Sequence, residues 1–390
     1  MGKYNFDQII ERRNTDSFKY EVLERLYGRK DLIPLWVADM DFLSPPAVIQ
    51  ALVERSQYGV YGYTFASDQY YDSIINWQKK RHQWDVKREE LCFIPGIVKG
   101  IAFAINAFSK EGDKIIIQPP VYHPFRIVTQ SHKRRLVTNP LRFDGKQYTM
   151  DMEGLDRLTD REDCRILIFS NPHNPGGRVW NKEELIQLAE ICYEKNILVI
   201  SDEIHSDLVF NGYKHIPFAS VSEKAAQNSI TFNAPSKTFN IAGIVSSYSI
   251  VKNEELRKEF YNFLKINDLD GGTIFAYLAL QEAYEKGEDW LEELKEYLWG
   301  NIQFVNDYLQ KNIPKIKAII PEASFLLWLD CKELNLSQKE LNSLFVDKAR
   351  LALNDGVMFG TEGIGFMRMN IGCPRSILEK ALTQLKEAIV

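Results

Sequence analysis

The chain has 390 residues, beyond the roughly 250–300 at which one hydrophobic core stops growing, so two domains, or a large one with a smaller one attached, are expected. Hydrophobic residues make up 45% and charged residues 26%, an ordinary globular balance, and a formal net charge of -5 argues against a general nucleic-acid binder. No apolar run reaches the ~18 residues of a membrane span, and five scattered cysteines (Cys92, Cys164, Cys192, Cys331, Cys373) without a CxxC pair argue against zinc or a disulfide framework.

In chain order, Met1–Phe6 is followed by Asp7, Glu11, Arg12 and Arg13, without the apolar stretch of a signal peptide, so a cytoplasmic chain is expected. The first 45 or so residues, with Pro34, Pro45 and Pro46, read as a surface-crossing segment that joins the smaller domain. From about residue 91 to 250, β-rich runs alternate with helical segments. The runs are Leu91–Ile94, Lys114–Gln118, Leu136–Thr138, Arg165–Ser170, Ile197–Ser201, Ser229–Asn233 and Ser246–Ile250. ILIFS and ILVIS are too continuously apolar for half-exposed strands and predict a mostly parallel sheet covered on both faces. Lys182–Lys195 sets Leu185, Leu188, Ala189 and Cys192 at helical spacing. The fold class is therefore α/β, a large domain with a mostly parallel seven-stranded sheet between helices. From Glu254 the pattern turns helical, with a long helix over Asp289–Gln310. Strands near Ala318–Ile320, Phe325–Leu329 and Phe366–Asn370 and a closing helix over Ser376–Ala388 follow. This is a smaller α+β domain. The expected division is 46–288 for the large domain, and 1–45 with 289–390 for the small one.

Ligands of open parallel sheets bind beyond the strands' carboxyl ends. After LCFI come Pro95-Gly96 and a helix starting near Ile97 or Val98, whose free amides suit an anion, although most such junctions bind nothing. After KIIIQ comes Tyr122, a stacking ring or simply a core aromatic. After RILIFS comes the loop Asn171–Gly177 with Asn174, where turn chemistry alone explains either asparagine. After ILVIS comes Asp202, an acid at a buried strand end, which needs a cation unless it only caps a helix. After SITFN comes Ser236-Lys237, and a lone loop lysine is usually solvated. Together, five strand ends present an anion site, a ring, an amide, an acid and an amine. Pyridoxal phosphate needs that set: donors for its phosphate, a stacking partner, a donor such as Asn174 for its phenolic oxygen, a carboxylate for its ring nitrogen and a lysine for its aldehyde.

The strings Trp36-Val37-Ala38-Asp39-Met40-Asp41-Phe42, Tyr61-Gly62-Tyr63, SNPHNPGG from Ser170, SDEIH from Ser201, SKTFNIAG from Ser236 and RMNIGCPRS from Arg368 resemble a known family. Over essentially its whole length the chain is similar to fold-type-I, class I/II aminotransferase-like enzymes. Within them it resembles the MalY/PatB branch of carbon–sulfur β-lyases (cystathionine β-lyase-like). The resemblance implies an aspartate-aminotransferase-like fold and pyridoxal 5'-phosphate held as a Schiff base on Lys237, which also moves the substrate proton. It implies Asp202 on the pyridinium, Asn174 on the ring oxygen with His205 nearby, and Tyr122 stacked on the ring. It places Gly96, Ile97, Val98 and Ser236 on the phosphate and Arg368 on the substrate carboxylate. Tyr63 would reach the neighbouring subunit's phosphate, so a homodimer is implied.

Two positions depart from the family pattern. Ala234 stands where relatives often carry a hydroxyl, and Val245 where many aminotransferases carry a phosphate-binding arginine. Arg368 pairing with a structural acid and His205 as a satisfied buried histidine are the plainer alternatives. Asp39 and Asp41 are read as turn residues without a catalytic role, His123 and His173 as bystanders, and Lys133-Arg134-Arg135 as a solvated turn. The leading activity is α,β-elimination from a sulfur amino acid such as cystathionine, giving a thiol, pyruvate and ammonia. Transamination with a 2-oxo acid shares its first steps and is the alternative. A non-catalytic regulatory or binding protein on the same fold is the third, and the intact lysine, aspartate and arginine set argues against it. Neither a nucleic-acid nor a membrane partner is expected.

Overall fold

The computed structural model describes residues 2–161, 163–210 and 212–389. Seven short strands form the large sheet: Leu91–Ile94 (β1), Lys114–Ile117 (β2), Arg135–Thr138 (β3), Cys164–Ser170 (β4), Leu198–Asp202 (β5), Ser229–Asn233 (β6) and Ser247–Ile250 (β7). They lie in the order β1-β7-β6-β5-β4-β2-β3, and β7 alone runs against its neighbours. The seven-stranded, mostly parallel sheet expected from the apolar runs is present.

The continuous apolar runs exist because both faces are covered. Side chains alternate across the pleat, and the alternation sorts them into two cores. Ile115, Ile117, Ile166, Ile168 and Ile200 pack with Ile101, Ala104 and Ile105 of the helix Ile97–Phe108. Ile116, Leu167, Phe169 and Val199 pack on the other face with Leu185, Leu188, Ala189 and Cys192 of the helix Lys182–Glu194. A capping box fixes the start of that second helix, since Asn181 accepts from the Glu184 amide while Glu184 reaches back.

A second, antiparallel sheet holds Lys317–Ile319 (β8), Leu326–Asp330 (β9), Asn354–Asp355 (β10) and Phe366–Asn370 (β11), in the order β8-β9-β11-β10. The helices Glu288–Asn312 and Arg375–Ile389 bury Leu294, Leu298, Ile302, Leu378 and Leu382 against it. The N-terminal segment joins this part: Ile33–Pro34 pairs in parallel with Leu351–Ala352, and the Asn370 amide donates to the Leu35 carbonyl.

The chain leaves β2 outward to β3 and returns to β4 on the other side of β2. That reversal opens a crevice beyond the carboxyl ends of β2 and β4. Among the described residues no helix is long and apolar enough to cross a membrane. None of the five cysteines forms a disulfide among the described residues; Cys92 is half-buried and the others are buried.

One expectation fails. Arg134 is buried, not part of a solvated turn: its guanidinium donates to the Ser109 carbonyl (2.6 Å) and its Nε to Ser109 Oγ (2.9 Å), capping the end of the helix Ile97–Phe108. Carbonyls at a helix end need donors, and composition alone does not show that one sits across the next loop.

Candidate active site

Lys237 lies on a single helical turn, Pro235–Thr238, directly after β6. It is not a solvated lysine. Its Nζ donates to the Ala38 carbonyl, and burial, opposed by Asp39 and aided by Arg368, brings its pKa down to about 8. Thr238 ties this turn down from behind, donating 2.9 Å to Asp207 Oδ2; Asp207 Oδ1 also meets Trp77 Nε1 (3.1 Å) and His82 Nε2 (3.0 Å).

The wall that carries Ala38 is pinned from both sides. Asn240 exchanges hydrogen bonds with the Met40 amide and carbonyl and donates to Phe42, while Asn370 donates to the carbonyls of Val37 and Asp39. Arg12 bridges Asp39 and Asp41, and the fully buried Lys19 reaches Asp41 at 2.7 Å. Asp39 and Asp41 therefore belong to a partly buried ion cluster and are not turn residues alone. Two like charges so close together persist only because two cations sit between them.

Asp202 is the last residue of β5, one position earlier than the predicted loop, and it is buried. Its Oδ1 accepts the Ile204 amide at 3.2 Å. Burial pushes its carboxyl up to about 7, with the Ile204 amide and Lys237 pulling the other way. A buried carboxylate of this kind calls for a cation or a strong donor. His205 nearby is buried with Nδ1 unpartnered, and burial drives its pKa down to about 3, so it is neutral.

The loop after β4 is rigid. Ser170 Oγ donates to the Pro172 carbonyl and accepts from the Asn174 amide. His173 is a structural pin: Nδ1 accepts from the Gly176 amide, leaving Nε2 to donate to the Pro120 carbonyl at 2.8 Å. That loop aims Asn174 Oδ1 at Arg368 Nη1, 3.0 Å away. Arg368 Nη2 donates to Asn354 Oδ1 (2.6 Å) and the Trp36 carbonyl (3.1 Å), and the guanidinium lies 4.8 Å over the Phe359 ring. No carboxylate pairs with it, so the structural-acid alternative is ruled out among the described residues. Burial pulls its pKa down to about 10. Asn354 and Trp36 were not foreseen, because their contacts to Arg368 span β10, β11 and the N-terminal segment.

Gly96 precedes the helix Ile97–Phe108 with φ 108, a backbone suited to glycine, and offers no side-chain cap. The first-turn amides, including those of Ile97 and Val98, are thus available to an anion. Val245 adjoins this corner, with a methyl 3.7 Å from where a Cβ on Gly96 would stand. It holds φ 57, costly for a β-branched residue. Ser236 is half-buried beside Lys237, and Ala234 is fully buried. Tyr122 follows β2 at the same crevice, its phenol pKa raised by burial. Tyr63 is not brought in; it stands fully exposed.

Comparison with known proteins follows the same lines. The family described as "Aminotransferase class I and II" matches residues 30–385. Cystathionine beta-lyase PatB of Bacillus subtilis (strain 168) is 41% identical over 385 residues, covering 99% of this chain and 100% of that protein. The crystal structure of cystalysin from Treponema denticola, which contains a pyridoxal 5'-phosphate cofactor, superposes with a TM-score of 0.95 at 35% identity, covering 99% of this chain and 98% of that one. A PLP-bound C-S lyase from Staphylococcus hominis gives 0.92 at 35% identity over the same shares.

Proposed function

The chain belongs to the class I and II aminotransferase family, and from that premise we propose that it is a pyridoxal-phosphate-dependent carbon–sulfur β-lyase acting on a sulfur amino acid such as cystathionine. One observation carries the reading: the half-buried Lys237 amine, the buried Asp202 carboxyl and the buried Arg368 guanidinium, which among the described residues has no counter-ion, share one crevice.

The residues fit the cofactor. Lys237 would hold its aldehyde and Asp202, which makes no ion pair among the described residues, its ring nitrogen. Asn174 spends Oδ1 on Arg368 and keeps its amide donors for the ring oxygen. His205 lies alongside with an unused nitrogen, and Tyr122 would cover the ring face. The first-turn amides at Gly96, Ile97 and Val98, with Ser236, would take the phosphate. When bound, pyridoxal phosphate supplies an electron sink for negative charge at the substrate α-carbon.

The chain's residues do the rest. Arg368 grips the α-carboxylate with its fork and fixes which Cα bond points at Lys237. The Lys237 amine, lowered toward neutrality, takes the α-proton. The bond from Cβ to sulfur then breaks, and the sulfur leaves with the bonding pair and picks up a proton as the thiol. Water converts the remaining three-carbon fragment to pyruvate and ammonia. Purified protein with L-cystathionine should release thiol and pyruvate in equal amounts without a 2-oxo acid. Glutamate formed from 2-oxoglutarate, with no thiol, would establish transamination instead.

The chain's division into 46–288 and 1–45 with 289–390 is supported by the two separate sheets. A homodimer is supported by the stretch Tyr58–Phe65, which leaves Tyr58, Val60, Tyr61, Tyr63 and Phe65 exposed and Tyr63 free to reach another subunit's phosphate. Five cysteines without a disulfide among the described residues support a reducing, cytoplasmic setting.

A further inference from the structure

We propose that Asp207 and Thr238 are positioning residues for the reaction: the buried hydrogen bond between them sets where the Lys237 amine stands, both for capture of the cofactor aldehyde and for removal of the substrate α-proton. The proposal rests on the reading of Lys237 as the cofactor lysine and assigns the residues that aim it.

A turn as short as Pro235–Thr238 does not hold itself in place. The Phe239 amide closes it on the Pro235 carbonyl at 2.9 Å, and Pro235 presets the first backbone angle. A single helical turn still fixes several dihedrals for little hydrogen bonding, so its position must come from outside. Thr238 Oγ1 supplies it by donating to Asp207 Oδ2 at 2.9 Å. Thr238 is fully buried, where a hydroxyl is costly unless paired. A valine would fill much the same space, so what the hydroxyl adds is the tie to Asp207.

Asp207 is too well held to follow the turn if it shifts. Its side chain is 1% exposed, and its Oδ1 meets Trp77 Nε1 at 3.1 Å and His82 Nε2 at 3.0 Å. Burial alone would raise its carboxyl, but His82, then Arg81 and Thr238, hold it below the ordinary carboxylate range. The acceptor is therefore charged, and its hydrogen bonds are of the stronger kind. Trp77 and His82 both belong to the helix Asp68–His82. The Trp77 ring also packs on Phe239, the residue that ends the lysine turn, with centroids 5.6 Å apart. Behind them the His82 ring meets that of His215 at 5.2 Å, and His215 Nε2 meets Glu203 Oε2 at 2.9 Å, next in sequence to Asp202. Lys237 is thus fixed at both ends, its root by Thr238 and its tip by the Ala38 carbonyl. Misplacing a reacting group by ~1 Å can cost about 10²-fold in rate, which gives the root anchor its leverage.

The test compares Thr238→Val with Thr238→Ser. In the holoenzyme with L-cystathionine, Thr238→Val should lower kcat about 10- to 100-fold and change KM by less than about threefold, because the grip at Arg368 is untouched. The limiting rate at which the stripped protein captures pyridoxal phosphate, followed by absorbance, should fall by a similar factor. Thr238→Ser restores the hydroxyl and should return both rates to within about threefold of the original. Circular dichroism and thermal unfolding check folding, and where valine gives no folded protein, Thr238→Ala is judged by the same criteria. Either rate within about threefold of the original in a folded variant without the hydroxyl would overturn the proposal. So would a serine variant as slow as the valine one, which would mark Thr238 as a packing residue. If the unmodified enzyme releases no thiol from cystathionine, the lyase reading fails, and the capture rate alone then decides the positioning role.

Discussion

Replacing Arg368 by glutamine should separate function from stability. The guanidinium is buried, its pKa lowered by that burial, and all its partners are neutral: Asn174 Oδ1, Asn354 Oδ1 and the Trp36 carbonyl. In the free enzyme it is a desolvated charge waiting for a carboxylate. Two charge-assisted hydrogen bonds to that carboxylate are worth about 1.5–3 kcal/mol each, so losing both should lower kcat/KM about 10²- to 10⁴-fold. Arg368→Lys keeps one point charge and loses the fork, and should cost about 10- to 100-fold. Stability should barely move. The glutamine amide still donates to one asparagine oxygen, and removing an unpaired buried charge offsets the bonds lost, for a net change within about 1 kcal/mol. At roughly 2.1 cal/mol/K per residue, 390 residues give about 0.8 kcal/mol per degree, so Tm should shift by only a degree or two. Steady-state kinetics and thermal unfolding of the same preparations test both halves. A glutamine variant within about threefold of the original kcat/KM would refute the assigned role. A Tm fall beyond about 5 °C, in line with the activity loss, would mark Arg368 as a structural residue.

The lowered Lys237 pKa makes a signed prediction for cofactor capture by the stripped protein. Only the neutral amine attacks an aldehyde, so the capture rate should rise with pH and level off just above a midpoint of about 8. An ordinary lysine would keep climbing toward ~10.4. A rate still rising steeply past pH ~9.5 would show that burial does not control this amine. Val245→Arg should tighten pyridoxal phosphate binding about tenfold, because the position adjoins the Gly96 corner, is 39% exposed and gains a phosphate donor while losing a β-branched side chain at φ 57. Equilibrium titration of the stripped variant checks it; unchanged affinity would place Val245 outside the phosphate's reach.

Local sequence determined much of this protein. The β-rich runs predicted the strands to within a residue or two, because strands covered on both faces, such as ILIFS and ILVIS, are largely apolar along their length. The strand ends then pointed to Gly96, Tyr122, Asn174, Asp202 and Lys237 as candidates, since ligands of an open parallel sheet bind beyond its strand ends. Tertiary structure decided what surrounds them. Asn354, Trp36 and Asn174 converge on Arg368 from separate parts of the chain, and Arg12 and Lys19 turn Asp39 and Asp41 from apparent turn residues into a partly buried ion cluster behind the Lys237 wall. Arg134 looked like one of three solvated basic residues until a helix end was found to need it. The physical reason is the same in each case. A burial pattern is periodic along the chain and can be read from it, whereas a buried charge or donor is satisfied by whichever distant segment the fold carries into hydrogen-bonding range, and that pairing leaves no periodic trace in the sequence.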